Sequence, residues 1–132
     1  MHNKIRGSLI EDYVVELLKQ HGDVQSGFSE YYDATFNGIP IEVKSSELII
    51  RERKGKVIGS RCGYFHMQKD AAQIFQQHLI AYYCFVVVVK KKPVFVCFVP
   101  HLKVMIRKNI PMRIIYEGLS LQDFVEKHKR EA

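Results

Sequence analysis

Tyr32-Asp33-Ala34-Thr35-Phe36-Asn37-Gly38-Ile39-Pro40-Ile41-Glu42-Val43-Lys44-Ser45 is the stretch on which the fold turns. Asn-Gly between strand-forming residues signals a two-residue hairpin loop, because a type I′ turn needs positive φ at both central positions. With Asn37 and Gly38 as the whole loop, Phe36 pairs with Ile39, Thr35 with Pro40, Ala34 with Ile41 and Asp33 with Glu42. Pairs alternate along an antiparallel ladder, so Asp33 and Glu42 are expected at a non-hydrogen-bonded position, where side chains stand closer. Pro40 suits the same register, since its position needs no N–H toward the partner strand. Strand side chains alternate between faces, which puts Lys44 beside Glu42 and turns Ile39, Ile41 and Val43 toward a core.

Two carboxylates roughly 5 Å apart at an effective dielectric near 20 repel by roughly 3 kcal/mol, more than a cross-strand pair ordinarily contributes. Something must compensate. A hard divalent cation with oxygen ligands would do so, and Mg²⁺ is commonly held by one or two carboxylates. Lys44 alone is the plainer alternative, neutralising one acid within a solvated charge cluster.

The 132 residues predict one domain with room for a real core. Apolar and charged fractions of 47% and 26% are those of a soluble globular protein and argue against disorder. The longest apolar run, Leu79 to Val89, is too short for a membrane span and reads as a buried strand, so no membrane association is expected. Met1 to Gly7 leads into an amphipathic helix carrying Glu11 and Asp12 and shows no signal-peptide pattern. Cys62, Cys84 and Cys97 are odd in number and lack C-x-x-C spacing, which points to reduced thiols and a cytoplasmic location. A formal charge of +6 suggests a polyanionic partner. The cations cluster at Arg51, Arg53, Lys54 and Lys56, at Lys90 to Lys92, at Lys103, Arg107 and Lys108, and at Lys127, Lys129 and Arg130. Any one cluster reads as a solvated face; together with an acidic pair suited to a metal, they favour phosphate contacts.

Ile5, Leu9, Ile10, Tyr13, Val14, Leu17 and Leu18 recur at helical spacing and predict a first helix over 4–21, with Gly22 as its C′ residue. Glu11 falls on the margin of the apolar side, one turn after Gly7, where a carboxylate reaches the edge of the core. Val24 to Phe28, Tyr31 to Phe36 and Ile39 to Ser45 read as strands. Residues 47–63 read as a second, basic hairpin or flap around Lys54-Gly55, and Phe65 to Leu79 as a helix. Ile80 to Val89 is a central strand; Lys91-Lys92-Pro93 forms a turn, and Val94 to Val99 returns antiparallel. Between Pro100 and Pro111 a short helix is expected with Leu102, Met105 and Ile106 on one side, then an edge strand from Met112 to Tyr116. A last helix begins at Ser120, whose spacing to Asp123 resembles a capping box, and buries Leu121, Phe124, Val125 and His128. The order predicts an α/β fold, a mixed sheet between helices.

A glutamate on the first helix, an aspartate opening a hairpin, Glu42-Val43-Lys44 on its second arm and a polar helix after a basic loop together resemble the PD-(D/E)XK nuclease superfamily. Gly7 to Glu11 and Glu42 to Ser45 look most like archaeal Holliday junction resolvases and related restriction-like endonucleases. The resemblance covers roughly the first two-thirds of the chain. Tyr32 stands where the family name has proline, and residues 47–65 are longer than a resolvase needs. The resemblance implies a restriction endonuclease-like αβββαβ core and a homodimer that hydrolyses DNA with Mg²⁺ or Mn²⁺, leaving a 5′-phosphate and a 3′-hydroxyl. It implies Asp33, Glu42 and the Val43 carbonyl as metal ligands, Glu11 on a second metal or a metal-bound water, and Lys44 orienting the attacking water. Ser45, Ser46, Gln68 and Lys69 become candidate phosphate or water contacts, and Arg51, Arg53, Lys54, Lys56, Arg61 and Tyr64 candidate nucleic-acid contacts. Structure-selective cleavage leads. A restriction-like sequence-specific enzyme, an inactive nucleic-acid-binding module of the same fold and a basic scaffold protein stay open.

Overall fold

A computed structural model describes residues 3–130, apart from the side chains of 3–6, Glu52 and Lys54. The expectations placed on Ile5 and on the Lys54 side chain lie outside what is described. Helix α1 (Asn3–Lys19) leads into β1 (Val24–Ser26), β2 (Ala34–Phe36) and β3 (Ile39–Glu47). A separate ribbon, β4 (Ile49–Lys54) and β5 (Val57–Cys62), follows, then β6 (Tyr64–His66) and α2 (Lys69–Phe75). Strands β7 (Tyr82–Val89) and β8 (Lys92–Pro100) complete the main sheet, before a 3₁₀ turn at His101–Lys103, β9 (Asn109–Pro111), a second 3₁₀ turn at Met112–Glu117 and α3 (Leu121–His128). The main sheet runs β1-β2-β3-β7-β8. Only β3 and β7 pair in parallel, and the other neighbours are antiparallel. The result is a mixed α/β architecture with a mixed central sheet and helices packed on it.

Strand β7 shows why the sheet is filled on both sides. Tyr82, Cys84, Val86 and Val88 enter one core with Ile10, Val14 and Leu18 of α1 and Phe124 of α3. Tyr83, Phe85 and Val87 enter the other with Phe65, Met67, Ala72, Phe75 and Ile110. A strand buried on both faces reads as a continuous apolar run, and this one does. Phe98 and Phe124 stack at 4.2 Å between centroids.

The hairpin loop is the two-residue turn expected, with φ of 49° at Asn37 and 85° at Gly38. Phe36, Thr35 and Ala34 pair with Ile39, Pro40 and Ile41. Asn37 also ties the turn to its surroundings: its Oδ1 accepts the Asp23 N–H at 2.9 Å and its Nδ2 donates to the His128 carbonyl at 3.0 Å. Gly22 has no positive φ. It is needed instead for close approach, because a Cβ there would lie 2.8 Å from the Phe36 ring.

Several element boundaries differ from expectation, each through a tertiary partner or local bond. Strand β1 ends at Ser26 and β2 begins at Ala34; the intervening loop is shaped by Gly27 at φ 77° and by Ser29 Oγ accepting the Tyr31 N–H. The helix expected from Phe65 starts only at Lys69, because Phe65 pairs with Ile110 across β6 and β9. It also stops early, and the Gln76 side chain then donates to the Val104 carbonyl at 3.0 Å. The β7–β8 turn falls on Lys90 and Lys91, both at positive φ, and Pro93 lies within β8 opposite Val88 at a bulge. Met112 to Tyr116 coils into a 3₁₀ turn after Pro111 instead of extending. Leu9 and Tyr13 are exposed, as are Leu102 and Met105, so the apolar sides drawn through them are narrower than expected. Ser120 Oγ does cap α3 through the Asp123 N–H, and His128 Nε2 lies 2.7 Å from the Tyr82 hydroxyl. Among the described residues no helix is long and apolar enough to cross a membrane.

Candidate active site

The register of β3 and β7 sets one side of the site. Glu42 sits beside Tyr83 and Lys44 beside Phe85, so both charged side chains stand on the face covered by α2. There they line a cleft with Met67, Gln68, Ala71, Ala72, Phe75 and Tyr83. Its volume is about 10 Å³, on the order of a single water molecule.

Asp33 contacts Glu42 by a route the ladder did not predict. It lies just before β2, and its N–H donates to the Ile41 carbonyl at 3.0 Å. The simple cross-strand pairing of Asp33 with Glu42 is therefore corrected: the ladder ends at Ala34. Asp33 Oδ2 accepts the Val43 N–H at 2.7 Å, where a continued β2 would have supplied a backbone carbonyl. The N–H and C=O of one strand residue point to the same side, so the Val43 carbonyl is aimed at Asp33 and away from β7. Early termination of β2 thus turns a piece of sheet edge into a polar surface.

The three acids meet through Asp33. The Glu42 carboxyl is pushed up to about 9, first by burial, then by hydrogen-bond contact with Asp33 and by its charge; Lys44 opposes this and Glu11 adds to it. The Glu11 carboxyl is pushed up to about 7, first by burial, then by the charge and hydrogen-bond contact of Asp33 and the charge of Asp12, again opposed by Lys44. Near neutral pH the cluster therefore holds protons where a cation could stand. Among the described residues no group of three or more His, Cys, Asp or Glu is already spread as a metal cage. The carboxylates are instead closed on one another, with one Asp33 oxygen engaged by the Val43 N–H. As chemistry, an all-oxygen set of mutually repelling carboxylates beside a carbonyl suits a hard divalent cation.

Other expected contacts divide. Gln68 lies at the lip of the cleft as the N-cap of α2, whereas Lys69 is exposed on its first turn and does not line the cleft. Ser45 pairs with Val86, whose side chain belongs to the α1 face, so it points away from Glu42 and Lys44. Ser46 shares their face but is buried, its hydroxyl donating to the Glu47 carbonyl, and Gly63 packs against it with no room for a Cβ. Neither serine is placed to touch phosphate at the cleft. Arg51 and Arg53 alternate onto one face of the β4–β5 ribbon, and Lys56 follows Gly55 at its tip. Lys54 ends β4. Arg61 lies on the opposite ribbon face, its guanidinium 4.4 Å over the Tyr64 ring.

The sequence places Tyr83 within a central strand, and the structure adds that it lines the cleft. Burial raises its pKa, the Gln76 hydrogen bond opposes that and Glu42 adds to it. Its place two residues before Phe85 in an otherwise apolar strand was the available signal. Larger hollows lie elsewhere, about 600 Å³ at the root of the ribbon and about 390 Å³ beside β9.

Compared with known proteins, the chain matches no family model, no curated protein and no solved structure.

Proposed function

We propose that this protein is a metal-dependent DNA endonuclease that selects its substrate by structure, as junction resolvases do. The observation that carries the reading is the convergence of Glu11 of α1 and Glu42 of β3 on Asp33, in the loop before β2, with Lys44 close enough to act on both glutamates and lining a cleft with Glu42. A fold gains nothing from bringing three acids together in partial burial, since each is costly to desolvate and repels the others. Such clusters mark functional sites more often than structural ones.

Asp33, Glu42, Glu11 and the Val43 carbonyl would hold Mg²⁺ or Mn²⁺. The ion would supply a nucleophile at neutral pH and charge stabilisation on the phosphoryl oxygens. Lys44, on the same face two residues from Glu42, binds a phosphate oxygen and orients the water that Gln68 helps hold at the lip of the cleft. The narrow cleft keeps that water from exchanging freely, and the Val43 N–H holds one oxygen of Asp33 in place. Two strands cut by a chain with one such site call for a homodimer. Cys62, Cys84 and Cys97 are all free thiols, which supports a reducing, cytoplasmic setting.

One feature favours a sequence-specific variant of this reading. The β4–β5 ribbon exposes Arg51, Arg53 and Lys56, and a two-stranded ribbon fits the major groove of duplex DNA. The test incubates wild type, Asp33→Asn and Lys44→Ala with Mg²⁺ on four-way junctions, flaps, single strands and plasmid. Wild type should cleave only with the ion, and each variant should lose on the order of 10²-fold or more in rate. Cleavage confined to branched substrates selects the resolvase-like reading, and discrete plasmid fragments the restriction-like one. Equal activity in all three proteins, or none on any substrate, removes the endonuclease assignment.

A further inference from the structure

The hollow of about 390 Å³ beside β9 is not part of the cleft at Glu42, although the two are joined through one strand. Ile110 of β9 pairs with Phe65 of β6, and the Met67 N–H donates to the Lys108 carbonyl at 2.9 Å. Met67 and Gln68 then line the Glu42 cleft. The hollow thus lies at one strand of the β6–β9 pair and the cleft just past the end of the other.

Its walls combine two chemistries. Ile110 and Ile114 form an apolar floor, while Lys103, Arg107 and Arg113 are exposed at its walls. Arg107 is partly fixed, since its Nε donates to the Asn109 carbonyl at 2.7 Å. Glu117 is the acid of the set, so the four charged side chains sum to +2. Tyr116 is 85% exposed and Met105 73% exposed. Large side chains left this open gain little for the fold, and an aromatic ring beside cations over an apolar floor offers a stacking surface next to phosphate contacts. Single-stranded nucleic acids are held in this way, by base stacking on aromatic rings within a basic groove. The volume is also that of an ordinary small-ligand site, large enough for a base with its sugar. A duplex could not use it, because its bases are already stacked and paired.

We propose that this hollow binds an unpaired nucleotide of a DNA strand, its base against Tyr116 and Met105 and its flanking phosphates on Arg107, Arg113 and Lys103. The identification of the polyanion as DNA rests on the endonuclease reading; the preference for an unpaired nucleotide does not. Such a pocket would select flaps, junction arms with open bases or frayed ends over continuous duplex.

The test measures binding without divalent ions, in chelator, so that cleavage plays no part. Fluorescence anisotropy follows a labelled single strand and a blunt duplex with wild type, Tyr116→Ala, Tyr116→Phe, Arg113→Gln and Asp33→Asn. Tyr116→Ala should weaken single-strand binding by roughly 5- to 150-fold, the range of one lost stacking contact, and leave duplex binding unchanged. Tyr116→Phe should keep wild-type affinity, and Arg113→Gln should lower the salt slope of single-strand binding by about 0.7. Thermal melting of each variant checks that it folds. Wild-type single-strand affinity in Tyr116→Ala, or an equal loss on duplex, overturns the pocket. Competition by thymidine monophosphate as effective as that of the oligomer overturns the strand as occupant in favour of a free nucleotide. Tyr116-dependent binding that persists where no substrate is cleaved removes the endonuclease reading and leaves the pocket standing.

Discussion

Asp33 is the residue on which the candidate site depends, and its role is double. Its carboxylate closes the gap left by β2 by accepting the Val43 N–H, and it is the acid that both Glu11 and Glu42 contact. Asn at this position retains an oxygen for the Val43 N–H, so Asp33→Asn should fold while losing the charge. The raised carboxyls have a consequence for stability. With folded values near 9 for Glu42 and 7 for Glu11 against an ordinary 4.5, the folded protein holds more protons than the unfolded chain across that interval. Their contribution is complete below the unfolded value and is lost as pH rises through the folded ones. The metal-free protein should therefore melt at progressively lower temperature from roughly pH 5 to roughly pH 9, and Glu42→Gln should remove most of that decline. Parallel declines in the two proteins would show that Glu42 does not hold a proton in the fold. Because a bound cation must displace those protons, Mg²⁺ should raise the melting temperature most at the alkaline end.

At the scale of elements, the β4–β5 ribbon is set apart from the main sheet. It forms its own two-stranded sheet, and Val57 and Ile58 near its tip are 70% and 68% exposed. An isolated two-stranded ribbon is marginal in water. Its root is secured by the Gly63 N–H donating to the Leu48 carbonyl at 2.9 Å. Since Arg51 and Arg53 share one face, replacing both with alanine should weaken duplex binding strongly at low salt and reduce the salt slope by about 2, one per phosphate contact. Melting temperature should hardly change. An unchanged salt slope would take the ribbon out of the interface.

The hairpin of β2 and β3 behaves differently, because its turn is tied into the fold. Asn37→Ala loses a residue tolerant of positive φ together with bonds to Asp23 and His128. A loss of about 1–3 kcal/mol is expected by denaturant titration. Asn37→Gly restores the backbone freedom but not the bonds and should fall between the two.

For the whole molecule, the proposed cleavage of two strands requires two copies of the site. Sedimentation at micromolar concentration should show a dimer, with or without DNA, and a monomer under both conditions would remove that requirement from the mechanism. Leu9 and Tyr13, one turn apart on α1, are 54% and 38% exposed, and the charge clusters are spread over the β4–β5 ribbon, the β7–β8 turn, the segment between β8 and β9 and the end of α3.

Much of this was legible in the residues themselves. Asn37-Gly38 specified its turn and three pairs of register, because backbone sterics at positive φ act within a few residues. The two-sided apolar run of β7 identified a central strand, and Ser120 with Asp123 marked the start of α3, for similarly local reasons. The charged pair Glu42 and Lys44 followed from strand alternation alone. What sequence could not supply was every feature set by a distant partner. Ile110 pulled Phe65 into a strand and delayed α2, Phe36 required Gly22 to be small, and Asp33 left its ladder position to replace a backbone carbonyl at Val43. Local sterics and periodicity therefore determined which residues could share a face. Long-range packing and the accounting of backbone hydrogen bonds decided which of them meet.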